Sequence, residues 1–216
     1  MKTAILISGR GSNMQALVNA ASPPEFPARV NLVISNNPDA LGLKWAGKVG
    51  INTKLINHRD YSNRSAFENE LDQSLVGAEV ELICLAGFMR LLTQEFVSRW
   101  QNRIINMHPS LLPAYKGLNT HQRVINDGVR FTGCTVHFVR PEMDKGPIIA
   151  QAVVPVLPND NAETLASRVL VAEHRCYPFA LQMVASGKIK IVNNCVLVEN
   201  ATNPEVVIMN PDDKQS

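Results

Sequence analysis

The stretch Ile104-Ile-Asn-Met-His-Pro-Ser-Leu-Leu-Pro113 decides how this chain is interpreted. Its first residues are apolar and β-branched, which predicts a buried strand. Side chains alternate along a strand, so Asn106 and His108 should point to the same side. Pro109 has no N–H for a sheet ladder, and regular pairing should stop there. The sequence therefore predicts an amide and an imidazole side by side at the carboxyl end of a strand, where open α/β sheets bind ligands.

This pair of side chains has two interpretations. An amide N–H can stabilise an oxyanion and an imidazole can move a proton near neutral pH, so the pair can be catalytic. A histidine at a strand end can equally bond to the backbone and fix a turn. The stretch taken alone leaves both interpretations open.

A second candidate site is the turn Gly9-Arg-Gly-Ser-Asn13, which follows a predicted first strand at 2–8. Apolar residues at helical spacing come next, and Ser12 is the expected N-cap of that helix. Backbone N–H groups at such a turn can hold a phosphate. A dinucleotide fingerprint would need a third glycine where this chain has Met14, so we favour a phosphate monoester. The other interpretation is a glycine turn that serves only a tight connection.

The rest of the chain alternates between strand and helix patterns. We expect strands near 29–35, 53–56 and 81–86, and helices near 40–49, 64–76 and after Thr93. Arg64 opens one of these helices, where a cation opposes the helix dipole, so it faces either solvent or an anionic ligand. Asn119 or Thr120 should cap a further helix.

The last hundred residues follow a different pattern. The predicted strands 132–139 and 148–156 are joined by a loop and not a helix, which favours an antiparallel hairpin. Asp160-Asn-Ala-Glu163 resembles a capping box, and Pro178 should bend or break the helix that follows. Glu173 lies beside the core face of that helix, an unfavourable place for a lone carboxylate. The predicted fold class is α/β: a Rossmann-like, open, mostly parallel twisted sheet with helices on both faces and an antiparallel C-terminal strand region.

Composition limits the class of protein. The chain has 216 residues, 45% of them hydrophobic, which suits one domain with an ordinary packed core. A formal net charge of +2 is too small to indicate nucleic acid or an acidic membrane as a partner. The first apolar run is too short for a signal peptide, and none reaches the ~18 residues of a membrane span. Four cysteines lie far apart without a CxxC pair, which argues against zinc and disulfides and favours the reducing cytoplasm.

Taken together, the motifs resemble those of the folate-dependent formyltransferases, and within them the branch that acts on phosphoribosylglycinamide. The matching blocks are Ser8-Gly-Arg-Gly-Ser-Asn13, Ala86-Gly-Phe-Met-Arg90, Ile105-Asn-Met-His-Pro-Ser-Leu-Leu-Pro113, Gly133-Cys-Thr-Val-His-Phe-Val139, Asp144-Lys-Gly-Pro147 and Glu173-His174. The blocks 105–113 and 133–139, the second with Asp144-Lys-Gly-Pro147 after it, are specific for this family. The glycine turn alone is not. The resemblance runs in order to about Lys190. It implies a single formyltransferase domain at 1–190, and a C-terminal extension at 191–216 that packs on the domain or trails from it.

The resemblance also implies roles for individual residues. The catalytic trio falls on Asn106, His108 and Asp144. Contacts to the phosphorylated amine fall on Gly11, Ser12, Asn13 and Glu173. Folate contacts fall on Arg64, Met89, Arg90, Leu91, Leu92, Asn106, Arg140, Pro141, Glu142, Met143 and Asp144. Lys116 and Lys145 stand where many relatives have proline and glycine, a difference that can alter substrate affinity while leaving the trio intact.

The implied activity is transfer of a formyl group from 10-formyltetrahydrofolate, a cosubstrate, to the amine of 5'-phosphoribosylglycinamide in de novo purine (IMP) biosynthesis. Asn106 and a protonated His108 would donate to the oxyanion, and Asp144 would take a proton from the attacking amine. No metal is needed. We expect a cytoplasmic monomer or weak homodimer whose partners are its small-molecule substrates, without nucleic acid or membrane.

Two other kinds of function compete with this activity. Methionyl-tRNA formyltransferases and formyltetrahydrofolate hydrolases share the catalytic block, but the first carry a tRNA-binding domain and the second an extra N-terminal domain, which the length of this chain disfavours. A catalytically silent phosphate-binding module would have no use for the trio. The absorbance change that accompanies formyl-folate turnover discriminates between an enzyme and such a module.

Overall fold

The computed structural model of the chain describes residues 1–199 and 208–211. Its centre is a seven-stranded sheet in the order β3-β2-β1-β4-β5-β6-β7, beside a separate two-stranded sheet, β8-β9. The strands are β1 Lys2–Ile7, β2 Arg29–Ser35, β3 Asn52–Leu55, β4 Leu82–Leu85, β5 Ile104–His108, β6 Phe131–Phe138, β7 Ile148–Pro155, β8 Ile189–Val192 and β9 Cys195–Val198. The helices are α1 Ser12–Ala20, α2 Leu41–Lys48, α3 Arg64–Gly77, α4 Gln94–Arg99, α5 Thr120–Asn126 and α6 Ala162–Ala185, with a 3-10 turn at His58–Asp60.

The direction of the strands changes partway across the sheet. Strands β1 to β5 pair in parallel, whereas β5 with β6 and β6 with β7 pair antiparallel. The predicted α/β class and the predicted β6–β7 hairpin are therefore confirmed. From β1 the chain builds outward through β2 and β3, then returns to add β4 and β5 on the other side. In open α/β sheets, ligands bind at such a reversal point, which here lies beyond the carboxyl ends of β1 and β4.

Apolar side chains on both faces of the sheet explain why helices cover both. Along β1, Ile5 and Ile7 pack on one core with α1, α2 and α6, and Ala4 and Leu6 pack on a second core with α3 and α4. All of these β1 side chains are fully buried. A near-continuous apolar run of this kind is typical of a parallel strand that is covered on both sides.

Several helix starts lie one residue away from the predicted positions. Gly11 and not Ser12 precedes α1, and its backbone is left-handed with φ 74°. The capping box of α6 uses Asn161, whose side chain accepts from Thr164 N, so the predicted pairing of Asp160 with Glu163 is wrong. Asp160 is instead bound to Arg168 by a two-oxygen ion pair, which takes its carboxylate away from the cap.

Helix α6 continues through Pro178, so the predicted break is wrong. The missing proline N–H is outweighed by tertiary packing, because one face of α6 is buried along its length. Tyr177 is fully buried, and its hydroxyl lies 2.9 Å from the Leu85 carbonyl and 3.2 Å from the Ile105 carbonyl. These contacts hold α6 against β4 and β5.

The C-terminal part of the chain follows α6 with the hairpin β8–β9. The predicted boundary after residue 190 falls within β8, and the division into a domain and an extension stays a prediction. The Asn210 side chain donates to the carbonyls of Arg130 and Val156 at 2.6 and 3.0 Å. Residues 200–207 and 212–216 of the predicted extension lie outside the described residues. Within the described ranges, no helix combines the length and the apolar character that crossing a bilayer requires.

Candidate active site

The predicted pair on β5 lies where the parallel part of the sheet meets the antiparallel hairpin. Asn106 and His108 share one side of β5, as expected, and face His137 and Thr135 in register on β6. His108 is buried and Asn106 is half-buried. The strand ends at His108, immediately before Pro109, as predicted.

The two ring nitrogens of His108 have different partners. Nε2 lies 2.9 Å from the carbonyl oxygen of Tyr115. A carbonyl only accepts, so Nε2 carries the proton and donates. Nδ1 lies 3.5 Å from Oδ2 of Asp144, whose side chain is only 11% exposed. Because Nε2 holds one proton, a second proton on Nδ1 would make imidazolium, and that proton would face the Asp144 carboxylate.

Asp144 reaches this position from a separate loop. Its backbone is left-handed, with φ 51°, and its Oδ2 accepts from the backbone N–H of Gly117 at 2.9 Å. A side chain on Gly146 would overlap the Phe138 carbonyl, since an added Cβ would lie 1.5 Å from that oxygen. Glycine therefore lets the end of this loop press against β6, which returns Asp144 toward His108.

His137 orients the Asn106 amide. Its Nδ1 lies 3.0 Å from the Phe138 carbonyl, so Nδ1 donates there and neutral Nε2 is an acceptor. The Asn106 Nδ2 group donates to Nε2 at 3.2 Å, which fixes the amide with its N–H groups on this side. Burial lowers the pKa of His137, which keeps the ring neutral as this bond requires. Its Nε2 lies 3.8 Å from Asp144 Oδ1, but because the ring is neutral the two groups do not form an ion pair.

A further network fixes the proline-rich loop after β5. The Thr135 hydroxyl donates to the Ser110 carbonyl at 2.7 Å and accepts from Leu112 N at 3.0 Å. Gln151 Nε2 donates to the Leu112 carbonyl at 2.9 Å. The sequence alone assigned a role to neither His137 nor Gln151. The alternation of Thr135 with His137 along β6 was the available signal.

The predicted phosphate turn lies at the carboxyl end of β1. Helix α1 has no side-chain cap, so the backbone N–H groups of its first turn, Ser12 to Met14, are unused by a cap. A Cβ on Gly11 would lie 2.8 Å from Met14 Cε and 3.1 Å from Gly42 Cα. Glycine is thus required at position 11 for a tight connection, which was the other interpretation, whether or not a phosphate binds.

The structure brings Glu173 to the same turn. Asn13 Nδ2 donates to Glu173 Oε2 at 2.6 Å, which joins α1 to α6 and gives the buried carboxylate a partner. Burial raises the pKa of the Glu173 carboxyl, and the bond from Asn13 lowers it in part. The residues predicted for the phosphorylated amine therefore meet, although they lie far apart in the sequence.

The predicted folate residues after β4 form an exposed apolar wall. Met89 is 67% exposed and Leu91 is 57% exposed, and Leu92 packs on the second core. The Met89 N–H donates to the Ser8 hydroxyl at 2.8 Å, which ties the wall to the end of β1. Arg90 is half-buried within this segment.

The wall ends at the start of α4, where Thr93 is the N-cap as predicted. Thr93 is held by Glu68 of α3, which accepts from the Thr93 N–H at 2.8 Å and from its hydroxyl. Glu68 is buried, and it lies one helical turn after the exposed Arg64. This tie places the start of α3 and the wall next to one another, although nothing in the sequence pattern marked Glu68.

The remaining predicted folate residues lie in the loop that carries Asp144. Arg140 donates to Asn102 Oδ1 at 2.7 Å and to the Val139 carbonyl at 3.1 Å, so its guanidinium is engaged within the protein. Glu142 is paired with Lys145 on the exposed side of the loop, and Pro141 is exposed. Met143 is 49% exposed. The structure brings the trio together; the assignment of folate contacts stays a prediction.

The arrangement fits acyl-transfer chemistry, and comparison with known proteins places the chain in a class. The formyl transferase family model matches residues 1–181. The chain belongs to the formyl transferase family, as the sequence motifs predicted.

Individual relatives agree with that class. The chain is 38% identical over 204 residues to the phosphoribosylglycinamide formyltransferase of Escherichia coli (strain K12), covering 94% of this chain and 96% of that protein. It is 50% identical over 191 residues to the trifunctional purine biosynthetic protein adenosine-3 of Gallus gallus, covering 88% of this chain. It spans only 19% of that longer protein. The crystal structure of glycinamide ribonucleotide transformylase 1 from Symbiobacterium toebii superposes with a TM-score of 0.90 at 42% identity, covering 93% of this chain and 94% of that one.

Proposed function

We propose that this chain transfers the formyl group of 10-formyltetrahydrofolate to the amine of 5'-phosphoribosylglycinamide, a step of de novo purine (IMP) biosynthesis. The observation that carries the proposal is the convergence of Asn106, His108 and Asp144 beyond β5. The choice of amine is supported by the Escherichia coli relative, which is similar over nearly its whole length. The further activities of the trifunctional relatives are not assigned to this chain.

The oxyanion of the tetrahedral intermediate has two donors in this proposal. The Asn106 amide gives one N–H to His137, and its second N–H remains for the substrate oxygen. His108 donates from Nδ1, because Nε2 is committed to the Tyr115 carbonyl. It can donate there only as imidazolium, and in that form its Nδ1 proton lies beside the Asp144 carboxylate, 3.5 Å away. One preorganised donor of this type lowers the barrier by about 3–4 kcal/mol.

Asp144 has a second task in the same reaction. As the amine attacks the formyl carbon it becomes positively charged, and Asp144 accepts its proton directly or through water. The oxyanion then collapses to the new amide, the C–N bond to the folate breaks, and the folate nitrogen leaves with the proton that Asp144 accepted.

The amine substrate is held by its phosphate at the turn after β1, away from the catalytic trio. Its phosphate accepts from the first N–H groups of α1, where the helix dipole favours an anion. Asn13 and Glu173 lie at this turn, and Glu173 accepts from the ribose or glycinamide part. The phosphate turn follows β1, whereas Asn106 and His108 lie on β5, and β4 lies between these two strands, which separates the anchored phosphate from the reacting amine.

The folate is bound at the apolar wall after β4 and at the loop that carries Asp144. The exposed side chains of Met89, Leu91 and Met143 offer an apolar surface suited to a flat aromatic ring. Arg64, Arg90, Leu92 and residues 140–144 complete that contact in the proposal. The reaction needs no metal, and the monomer or weak homodimer, the cytoplasmic location and the absence of nucleic-acid and membrane partners remain predictions.

The test is a direct assay with purified chain, formyl-folate and the phosphorylated amine, followed by folate absorbance. We expect turnover that needs both substrates. Binding of both without turnover would favour the silent module. Folate deformylation at the same rate without the amine would favour a hydrolase.

A further inference from the structure

The loop Tyr115–Leu118 supplies backbone groups to both catalytic side chains that flank it. The Tyr115 carbonyl accepts from His108 Nε2 at 2.9 Å, and the Gly117 N–H donates to Asp144 Oδ2 at 2.9 Å. Two residues of one loop therefore fix the orientation of the His108 ring and of the Asp144 carboxylate. A shift of this loop would move both groups together.

The backbone of this segment is in an unfavourable conformation. Tyr115, Gly117 and Asn119 all have left-handed backbones, with φ of 51°, 77° and 55°. A residue other than glycine is disfavoured in this region and persists there only when its surroundings hold it. The loop thus needs contacts from outside itself to keep its shape.

Arg123 of α5 provides such a contact. Its Nη1 donates to the Lys116 carbonyl at 2.6 Å and lies 3.4 Å from the Leu118 carbonyl. Its guanidinium carbon lies 5.5 Å from the centre of the Tyr115 ring, within the range of a cation–π contact. Arg123 therefore holds the carbonyls on both sides of Gly117 and packs on the residue that bonds to His108. Its neighbour Val124 is fully buried, so α5 is anchored in the core at the position from which Arg123 reaches the loop.

We propose that Arg123 is a positioning residue for formyl transfer. It binds backbone carbonyls of the loop Tyr115–Leu118, so that His108 and Asp144 keep their mutual geometry. It does not touch the reacting atoms. The inference rests on the proposed function, and it assigns to an exposed arginine outside the trio a specific effect on the chemical step. Its guanidinium is committed to backbone carbonyls, which sets it apart from an arginine that binds an anionic substrate.

The experiment compares Arg123→Ala, Arg123→Lys and a matched control, Gln122→Ala. Gln122 precedes Arg123 on the same helix turn, and its side chain donates to Asn126 and not to the loop. We expect Arg123→Ala to lower kcat about 10- to 100-fold, since small misplacements of catalytic groups have effects of this size, with each KM within about twofold. Arg123→Lys keeps the charge but lacks the planar fork, so its loss should be intermediate. Gln122→Ala should match the parent.

Rescue by free guanidinium separates positioning from a general loss of stability. The side chain is exposed, so millimolar guanidinium can enter the space left in Arg123→Ala, and kcat should rise while Gln122→Ala shows no gain. Three outcomes would overturn the proposal: an Arg123→Ala kcat equal to that of Gln122→Ala, a loss confined to KM, or a loss of kcat that guanidinium does not restore.

Failure of this inference is distinguishable from failure of the proposed function. If the parent chain does not transfer formyl groups, the function itself is wrong. The positioning claim is then read from the ¹⁵N resonances of His108. We expect the His108 Nε2 proton to lose its hydrogen bond to the Tyr115 carbonyl in Arg123→Ala and to keep it in Gln122→Ala. Identical spectra for the two variants would contradict the positioning role of Arg123.

Discussion

The catalytic side of the candidate site, at β5 and the loop of Asp144, is built differently from its folate side, the Met89–Leu92 wall. On the catalytic side His108 is 5% exposed, both of its ring nitrogens face polar partners, and Asp144 is held by a backbone N–H. On the folate side Met89 and Leu91 are more than half exposed, and the wall is joined to Ser8, just after β1, through the Met89 backbone N–H.

The difference reflects what each side has to do. Transition-state stabilisation depends on donors fixed before the reaction, so the catalytic groups are buried and multiply bonded. Binding a flat ring depends on apolar area, which does not require each side chain to be fixed within a fraction of an ångström. Changes on the catalytic side should therefore act on kcat, and changes on the folate side on affinity.

The largest effect should come from His108→Ala. This change removes the imidazolium donor, and we expect kcat to fall about 10³-fold. The dissociation constant of phosphoribosylglycinamide, measured by titration calorimetry, should change little because its phosphate is held at α1. Modest and equal losses in rate and binding would show that His108 only shapes the site.

Asn106→Asp should have the next largest effect. The substitution keeps the size of the side chain but replaces its N–H donors by an acceptor, which removes both the bond to His137 and the donor to the oxyanion. We expect kcat to fall about 10²-fold, with the KM of the amine nearly unchanged. A kcat within a factor of a few of the parent's would remove Asn106 from the oxyanion site.

Asn13→Ala should act on the amine substrate alone. It removes a hydrogen bond to the Glu173 carboxylate, and charge-assisted bonds of this type support an increase in KM of about 10-fold. Asn13 lowers the pKa of this buried carboxyl, so without it Glu173 holds its proton to higher pH. The acid limb of the kcat/KM profile for the amine should then move to higher pH. Asn19→Ala, an exposed asparagine on the same helix, is the control, and an unchanged profile would contradict the role of Asn13.

Glu68→Gln should produce the smallest effect and should act on folate. The amide can keep one of the two bonds from Thr93, so the end of the Met89–Leu92 wall loosens without collapsing. We expect about a 5-fold rise in the KM of formyl-folate, with kcat retained. Glu70→Gln, on the same helix but paired with Lys54 at the surface, is the matched control. Equal effects of the two variants would show that the tie does not shape the wall.

Much of the fold could be predicted because its signals are local. Apolar runs marked the strands, and Pro109 marked the end of β5. The start of α6 was misplaced because Asp160 and Asn161 are both good caps, and the choice between them depends on Arg168 eight residues later. Pro178 was misjudged because a helix propensity cannot register the burial of Tyr177 against β4 and β5.

The site could be predicted as a set of residue types but not as a set of contacts. Asn106 and His108 share a strand, so their common orientation followed from spacing. The partner of Asn106 is 31 residues away on an antiparallel neighbour, and a register of that kind is not written in either segment. The partners of His108 and Asp144 in the loop Tyr115–Leu118 are backbone groups, which the residue types in that loop do not reveal.

The central claim is that His108 and Asp144 act as one unit on the transferred carbon. A double-mutant cycle tests it directly, with single-turnover rates measured for His108→Ala, Asp144→Ala and the double variant. Groups that act together give non-additive losses, so the double variant should be within about 10-fold of the slower single variant. Losses that multiply in full would mean that the two side chains act independently, which would contradict the claim.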